Sequence, residues 1–176
     1  DSVITVEVQE KSTGIPAEFG MLCGYLDEEH LTIMGVSPEG YSLIYRYNED
    51  EVIEILYEDA VVKPADQYKL VGTCNAGHYK LEVNGETIID HQDERLISSG
   101  SPGFYLSTLE EPGVVYSFDN FTVEYWTGKG AEQAQAEEPA ETLFTGEVVL
   151  LDDFSTEKSD WDIATEAWFT TGYKDG

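Results

Sequence analysis

The β-strand pattern of this chain is clearest at Val114-Val115-Tyr116-Ser117-Phe118-Asp119-Asn120-Phe121-Thr122-Val123, the last of a nearly continuous series of predicted strands in residues 1–126. Ser2–Gln9 shows the same alternation, with Ile4, Val6 and Val8 on one face and polar residues on the other. This period of two is typical of a strand with one buried and one solvated face. Such runs, separated by turn residues, recur about every 8–12 residues. The pattern predicts an all-β, antiparallel β-sandwich of the jelly-roll type.

The composition supports a folded core and excludes two classes of partner. Hydrophobic residues make up 41% of the 176 residues and aromatic residues 12%, which is enough for a packed interior. Nine Lys and Arg against 36 Asp and Glu give a net charge of −27. A surface of this sign repels nucleic acid and anionic membranes. It suits extracellular, salt-rich or calcium-containing surroundings, although a merely solvated acidic face is the commoner explanation of such a charge. No apolar run approaches the roughly 20 residues that a membrane-spanning helix needs, so no membrane span is expected.

The chain divides into a body, a linker and a second strand-like segment. Residues 1–126 form the predicted jelly-roll body, and residues 127–146 are an acidic linker rich in Ala, Glu and Gln. A C-terminal segment, residues 147–176, begins with the run Val148-Val149-Leu150-Leu151-Asp152-Asp153-Phe154-Ser155. The first four residues of this run are apolar on both faces. This indicates a strand covered on both sides rather than a solvated edge.

Four motifs resemble those of a known domain family: Gly20–Asp27, Gly35–Tyr41, Tyr79–Gly85 and Glu111–Phe121. Their order is similar to that of the concanavalin A-like (laminin-G-like) jelly-roll domains of large bacterial surface and secreted proteins. The resemblance implies the jelly-roll fold and an extracellular setting. It implies no reaction, because this fold carries lectins, hydrolases and inert spacers alike.

The C-terminal segment resembles the opening of that family's domain, displaced to the other end of the chain. Domains of the family usually open with an Asp-Phe-Ser strand followed by a Trp, and Asp153-Phe154-Ser155 and Trp161 are similar to that opening. The segment can close its own jelly roll, begin the next repeat of an array, or be donated to another subunit. Fully extended, about 20 linker residues reach roughly 65 Å, which permits all three. In the family a second apolar strand follows the Trp, and residues 162–176 contain no clear counterpart of it. Because the opening segment is incomplete in this respect, the repeat and donation alternatives are favoured over self-closure.

Strand donation gives the first functional hypothesis, a non-enzymatic structural module that self-associates into a surface filament or adhesin-like assembly. A donated strand combines main-chain hydrogen bonds with pockets for alternate side chains. A head-to-tail donation that does not close builds an open polymer. The predicted donor residues are Val148, Val149, Leu150, Leu151 and Phe154. The predicted acceptor residues, on the strand that ends the body, are Val115, Phe118, Phe121 and Val123.

Glycan binding is the alternative function. Tyr41, Tyr45 and Tyr47 lie on one face of a predicted strand, with Arg46 on the other. A lectin-like module would expose such rings on a concave face, where sugars could stack on them. Aromatic residues that share a face in a sandwich are more typical of the core or of cross-strand pairs.

The sequence shows no catalytic constellation, so no enzymatic activity is expected. A glycosidase needs two carboxylates that face each other roughly 5–10 Å apart. The strand glutamates instead alternate with apolar residues, as on a solvated face, and the histidines fall in turns and at strand ends. These residues are Glu7, Glu82, Glu124, His30, His78 and His91.

Calcium is the cation that the oxygen-rich loops would suit. Asp27-Glu28-Glu29 is one such loop, and Asp119, Asp152 and Asp153 are the candidate ligands if the two terminal strands meet. The sequence contains no Asp-x-Asp-x-Asp-Gly loop, and no other cofactor is expected.

Two cysteines, Cys23 and Cys74, lie inside predicted strands. Buried free thiols are favoured, because unpaired Cys is among the most buried residue types. A single inter-strand disulfide would fit an oxidising compartment, and the spacing of the two residues does not decide between the alternatives.

Overall fold

The computed structural model describes residues 2–11, 17–27, 29–48, 51–59, 61–75, 77–93, 100–108, 115–125 and 147–152. Every regular element in these ranges is a β-strand. The strands are β1 (Ser2–Glu10), β2 (Ala17–Asp27), β3 (His30–Val36), β4 (Ser42–Asn48), β5 (Glu51–Glu58), β6 (Tyr68–Asn75), β7 (His78–Val83), β8 (Glu86–Gln92), β9 (Ser101–Thr108), β10 (Tyr116–Tyr125) and β11 (Glu147–Asp152). Within these ranges, no helix has the length and apolar character to cross a membrane. The predicted linker, residues 127–146, lies outside the described residues.

The strands form two antiparallel sheets. One has six strands in the order β11-β10-β1-β6-β7-β8, and the other has five in the order β5-β4-β3-β2-β9. Each pair of neighbours runs antiparallel. The chain crosses from one sheet to the other between β1 and β2, and again before β6, β9 and β10. The all-β, jelly-roll sandwich predicted from the sequence is confirmed.

The core lies between the two sheets and follows the period of two. On β1, Ile4, Val6 and Val8 are fully buried, whereas most of the alternate residues stay partly exposed. Aromatic rings join the sheets across the core: Phe19 of β2 lies 5.0 Å from Tyr68 of β6, measured between ring centroids. Each large side chain of this kind contributes about 1.5–3 kcal/mol on burial, before the cost of ordering it.

A disulfide joins Cys23 of β2 to Cys74 of β6 and thereby links the two sheets. The preference for buried free thiols is therefore wrong. The two cysteines are 51 positions apart in sequence, whereas the stacked sheets bring their Cα atoms to 5.6 Å. That distance is within the range that a disulfide spans, and local strand patterns contain no information about it.

β2 and β3 approach each other closely at Gly20. A Cβ atom there would lie 2.2 Å from the carbonyl oxygen of Met34 on β3, far inside van der Waals contact. Glycine therefore allows the two strands to stay paired at this point. Gly20 stands opposite Gly35 of β3 and Tyr105 of β9, so two glycines occupy the middle of a row that crosses the outer face of the five-stranded sheet.

Candidate ligand-binding site

The outer face of the five-stranded sheet carries a second apolar cluster, separate from the core between the sheets. Leu31 and Ile33 of β3 and Leu43 of β4 belong to it, together with Tyr41. They alternate with Met34 and Ile44, which face the inter-sheet core. β3 is accordingly buried along nearly its whole length. This face is therefore covered by side chains rather than simply solvated.

Tyrosine rings supply much of that cover. Tyr45, Tyr47 and Tyr105 pack against the apolar cluster. Tyr57 of β5 stands opposite Leu43, and its ring centroid lies 5.1 Å from that of Tyr41. Tyr57 is 48% exposed. We call this surface the tyrosine face, defined by Tyr41, Tyr45, Tyr47, Tyr57 and Tyr105.

The three tyrosines that the sequence assigns to one strand face, on and just before β4, differ in their burial. Tyr41 is buried, as expected of a core aromatic residue. Tyr45 and Tyr47 are partly buried and stand opposite Ile33 and Leu31, as cross-strand pairs do. The exposed ring comes from another strand, at Tyr57. The surface therefore has a buried layer and a half-exposed ring above it.

A buried carboxylate lies within this face. Glu18 of β2 is 6% exposed and stands opposite Ser107 of β9. The Tyr41 hydroxyl donates a hydrogen bond of 3.0 Å to its Oε1, and the Tyr105 hydroxyl donates one of 3.2 Å to its Oε2. Among the described residues, no basic side chain forms an ion pair with Glu18. Two neutral hydroxyl groups therefore replace the water that a buried carboxylate loses.

The two hydroxyls remain protonated at physiological pH. Burial raises the pKa of Tyr41 and of Tyr105 well above the ordinary value, and the negative charge of Glu18 adds to the rise. Hydrogen bonds with Ser37 and Ser107 oppose it but are outweighed. Both tyrosines can therefore donate to Glu18 over the whole physiological range.

The predicted calcium ligands do not form a complete site in the described residues. Asp119 is exposed on β10 opposite Glu7, and Asp152 of β11 stands opposite Phe121. Asp153 lies outside the described residues. Where the structure describes the chain, no group of three or more His, Cys, Asp or Glu side chains is placed to hold a metal ion. Calcium binding through Asp153 stays a prediction.

The acidic loop after β2 has an internal partner. Asp27 Oδ1 lies 2.8 Å from His30 Nδ1 and accepts a hydrogen bond from the Glu29 backbone N–H. The hydrogen bond with His30 lowers the pKa of Asp27. Glu28 lies outside the described residues. On β7, His78 is similarly paired, with its Nε2 2.7 Å from Asp90 Oδ1. Glu7, Glu82, Glu124 and His91 are partly exposed at the surface.

The predicted donor strand lies beside β10 of the same chain. In β11, Val148 stands opposite Glu124 and Leu150 opposite Val123, with a register irregularity between them. Val149 and Leu151 are also in β11, whereas Phe154 lies outside the described residues. Donation to a second chain stays a prediction.

Only two of the four predicted acceptor residues lie in the part of β10 that pairs with β11. Phe121 and Val123 lie in the part of β10 that pairs with β11. Phe118 is paired with Val8 of β1 and stacks on Phe104 of β9 with ring centroids 4.5 Å apart. Val115 precedes β10 and is exposed.

Solved structures share the fold of this chain at low sequence identity. No family model matches the sequence, and no curated protein matches it. The carbohydrate-binding module CBM66 from Bacillus subtilis matches with a TM-score of 0.55 and 15% identity, over 71% of this chain and 75% of that one. Galectin-11 from sheep has a TM-score of 0.48 and 14% identity over 66% and 88% of the two chains. The CBM40 of the Ruminococcus gnavus IT-sialidase has a TM-score of 0.39 and 16% identity, over 53% of each chain. The likeness to the first of these shows a shared sandwich fold alone.

Proposed function

We propose that this chain is a non-enzymatic, extracellular or cell-surface glycan-binding module that binds carbohydrate on the tyrosine face. The observation that carries the proposal is the half-exposed ring of Tyr57 packed against the tilted ring of Tyr41, whose hydroxyl is bonded to Glu18. The apolar C–H face of a sugar packs on such a ring. Its hydroxyl groups hydrogen-bond with polar groups fixed beside the ring, and binding sites commonly combine these two features.

The fold and the disulfide support this proposal. The sandwich is shared with a protein described as a carbohydrate-binding module, which makes glycan binding a reasonable expectation for an aromatic face on the same scaffold. The Cys23–Cys74 disulfide fits an oxidising, extracellular compartment. The charge of −27 fits the same setting, because it disfavours nucleic acid and anionic membranes.

A non-enzymatic role is part of the proposal. The carboxylate of Glu18 is held by two tyrosine hydroxyls, whereas glycosidase chemistry needs a carboxylate free to transfer a proton or attack, facing a second one. Reproducible hydrolysis of a bound oligosaccharide, lost in the Glu18→Gln variant, would contradict this part.

The test is a glycan array followed by titration of any ligand found, with Tyr57→Ala as the variant. We expect saturable binding that weakens about tenfold or more in the variant, because the stacking ring is removed; tenfold corresponds to about 1.4 kcal/mol. Tyr125→Ala is the matched control, since Tyr125 is 38% exposed but lies on β10 of the other sheet. It should bind like the unmodified protein. Absence of saturable binding, or equal loss in both variants, would refute the proposed function.

A structural role through strand donation is the second candidate. The structure pairs β11 with β10 of the same chain, and this candidate supposes that β10 of a neighbouring repeat or subunit receives the same hydrogen bonds. The two candidates are compatible, since the tyrosine face and β11 lie on different sheets.

A further inference from the structure

We infer that the tyrosine face selects neutral or amino-sugar glycans over glycans that carry carboxylate groups, and that Glu18 sets this selectivity. The inference rests on the proposed function and names the ligand class of the same site. It follows from the position of Glu18, from the partners of its carboxylate, and from the charge around it.

Glu18 places a carboxylate within the tyrosine face. Its carboxylate is bonded to hydroxyls of Tyr41 and Tyr105, which are neutral, and no basic side chain among the described residues forms an ion pair with it. The ring of Tyr41 in turn packs, tilted, against the half-exposed ring of Tyr57, where the ligand is expected to lie. A second carboxylate brought to this ring meets a like charge through poorly polarisable surroundings, where repulsion is stronger than in water.

The carboxylate favours hydrogen-bond donors for the same reason. An ionised carboxylate has about four acceptor sites, and the structure shows one tyrosine hydroxyl at each oxygen of Glu18. Sugar hydroxyl and ammonium groups are donors, whereas an ionised uronate or sialate carboxyl is an acceptor alone. Because Glu18 is 6% exposed, it acts on the ligand chiefly through its charge and through the two hydroxyls it orients.

Ionic strength separates the effect of Glu18 from that of the whole molecule. The net charge of −27 also repels acidic glycans. At 1 M salt, however, the Debye length is only about 3 Å, so exposed charges farther away than this are largely screened. A buried charge next to the ligand is screened much less. Selectivity that persists at 1 M salt therefore belongs to the site rather than to the general surface.

The experiment uses tetrasaccharides of glucose, galactose or mannose, each paired with the tetrasaccharide of the corresponding uronic acid, and a glucosamine tetrasaccharide. We expect the full chain to bind at least one neutral or amino-sugar member about tenfold or more tightly than its uronic counterpart, and to keep most of that ratio at 1 M NaCl. In Glu18→Gln, which has nearly the same shape without the charge, the ratio should fall below about threefold.

Two results would overturn the inference while leaving the proposed function intact. One is equal or tighter binding of the uronic member by the unmodified protein, a measurement that needs no variant to fold. The other is an unchanged ratio in a folded Glu18→Gln protein, with folding checked by its thermal unfolding. If no tetrasaccharide and no array glycan binds, the proposed function and this inference both fail.

Discussion

At the scale of single residues, the buried carboxylate of Glu18 depends on two tyrosine hydroxyls, one at each of its oxygens. The alternation around Phe19 places Glu18 on the outer face of β2. Nothing in the sequence around Glu18 indicates that its carboxylate is buried, because its partners Tyr41 and Tyr105 come from distant parts of the chain. The tyrosines of β4 could be recognised as sharing a face, since their spacing is two. Tyr57 and Tyr105 could not be assigned to the site, since only the sheet order brings their strands to it.

The hydrogen bonds to Glu18 give a direct test. Tyr105→Phe removes the donor at Oε2 and leaves a buried carboxylate half satisfied, so we expect the free energy of unfolding to fall by about 1–3 kcal/mol. Urea denaturation measures the change. Tyr47→Phe, on the same face and packed against the same cluster, is the control and should change the value by less than about 0.5 kcal/mol. Equal effects of the two variants would show that the bond to Glu18 contributes nothing particular.

Alkaline pH should weaken the fold through its buried tyrosines. Burial raises the pKa values of Tyr41, Tyr105 and Tyr116 above the ordinary 10.0. In the unfolded chain these hydroxyls ionise near pH 10, while the folded protein holds their protons to higher pH. Their contribution is therefore fully present below pH 10 and is lost as pH rises above it. We expect the thermal midpoint to fall from about pH 10 upward, less steeply in Tyr105→Phe. A midpoint that does not change between pH 9 and pH 11.5 would contradict the shifted values.

The strands themselves were predictable because each has its own periodic signal. The alternation over Ser2–Gln9 predicts a strand there, and β1 is Ser2–Glu10. In β3, Leu31 and Ile33 alternate with Met34, so both faces of this strand are apolar. Which elements cover those two faces depends on how the two sheets stack. It also depends on β9, which joins the five-stranded sheet from far along the chain. The Cys23–Cys74 bridge escaped prediction for the same reason.

At the scale of elements, the disulfide between β2 and β6 should be a major source of stability. In the loop-entropy model, a bridge across a separation of 51 residues lowers the entropy of the unfolded chain and so raises its free energy by about 4 kcal/mol. We expect the double variant Cys23→Ser, Cys74→Ser to lose a comparable amount, measured by urea denaturation. Unfolded, unreduced protein should show no titratable thiol before reductant is added. Two free thiols per chain at that stage would show that the bridge does not form.

At the scale of the whole molecule, β11 is the edge strand of the six-stranded sheet and covers β10. It pairs with β10, and without it β10 would be an open edge of the kind that recruits other strands. We expect a chain truncated at Gly130 to be less stable or self-associated, and to be rescued by a synthetic peptide spanning residues 146–157. Thermal unfolding and light scattering measure both effects. A truncated chain that is a stable monomer and ignores the peptide would rule out strand donation.

The bridge between the sheets also bears on tension. Residues 24–73 lie inside the covalent loop closed by Cys23 and Cys74, and this loop contains all of β3, β4 and β5. If the chain is pulled from its two ends, the force passes through the disulfide, and those strands cannot be extended while the bridge is intact. At about 3.4 Å per residue, roughly 170 Å of extension is withheld. Tyr41, Tyr45, Tyr47 and Tyr57 lie inside the locked loop, so most of the surface that would hold a ligand is the part of the protein that traction cannot unravel.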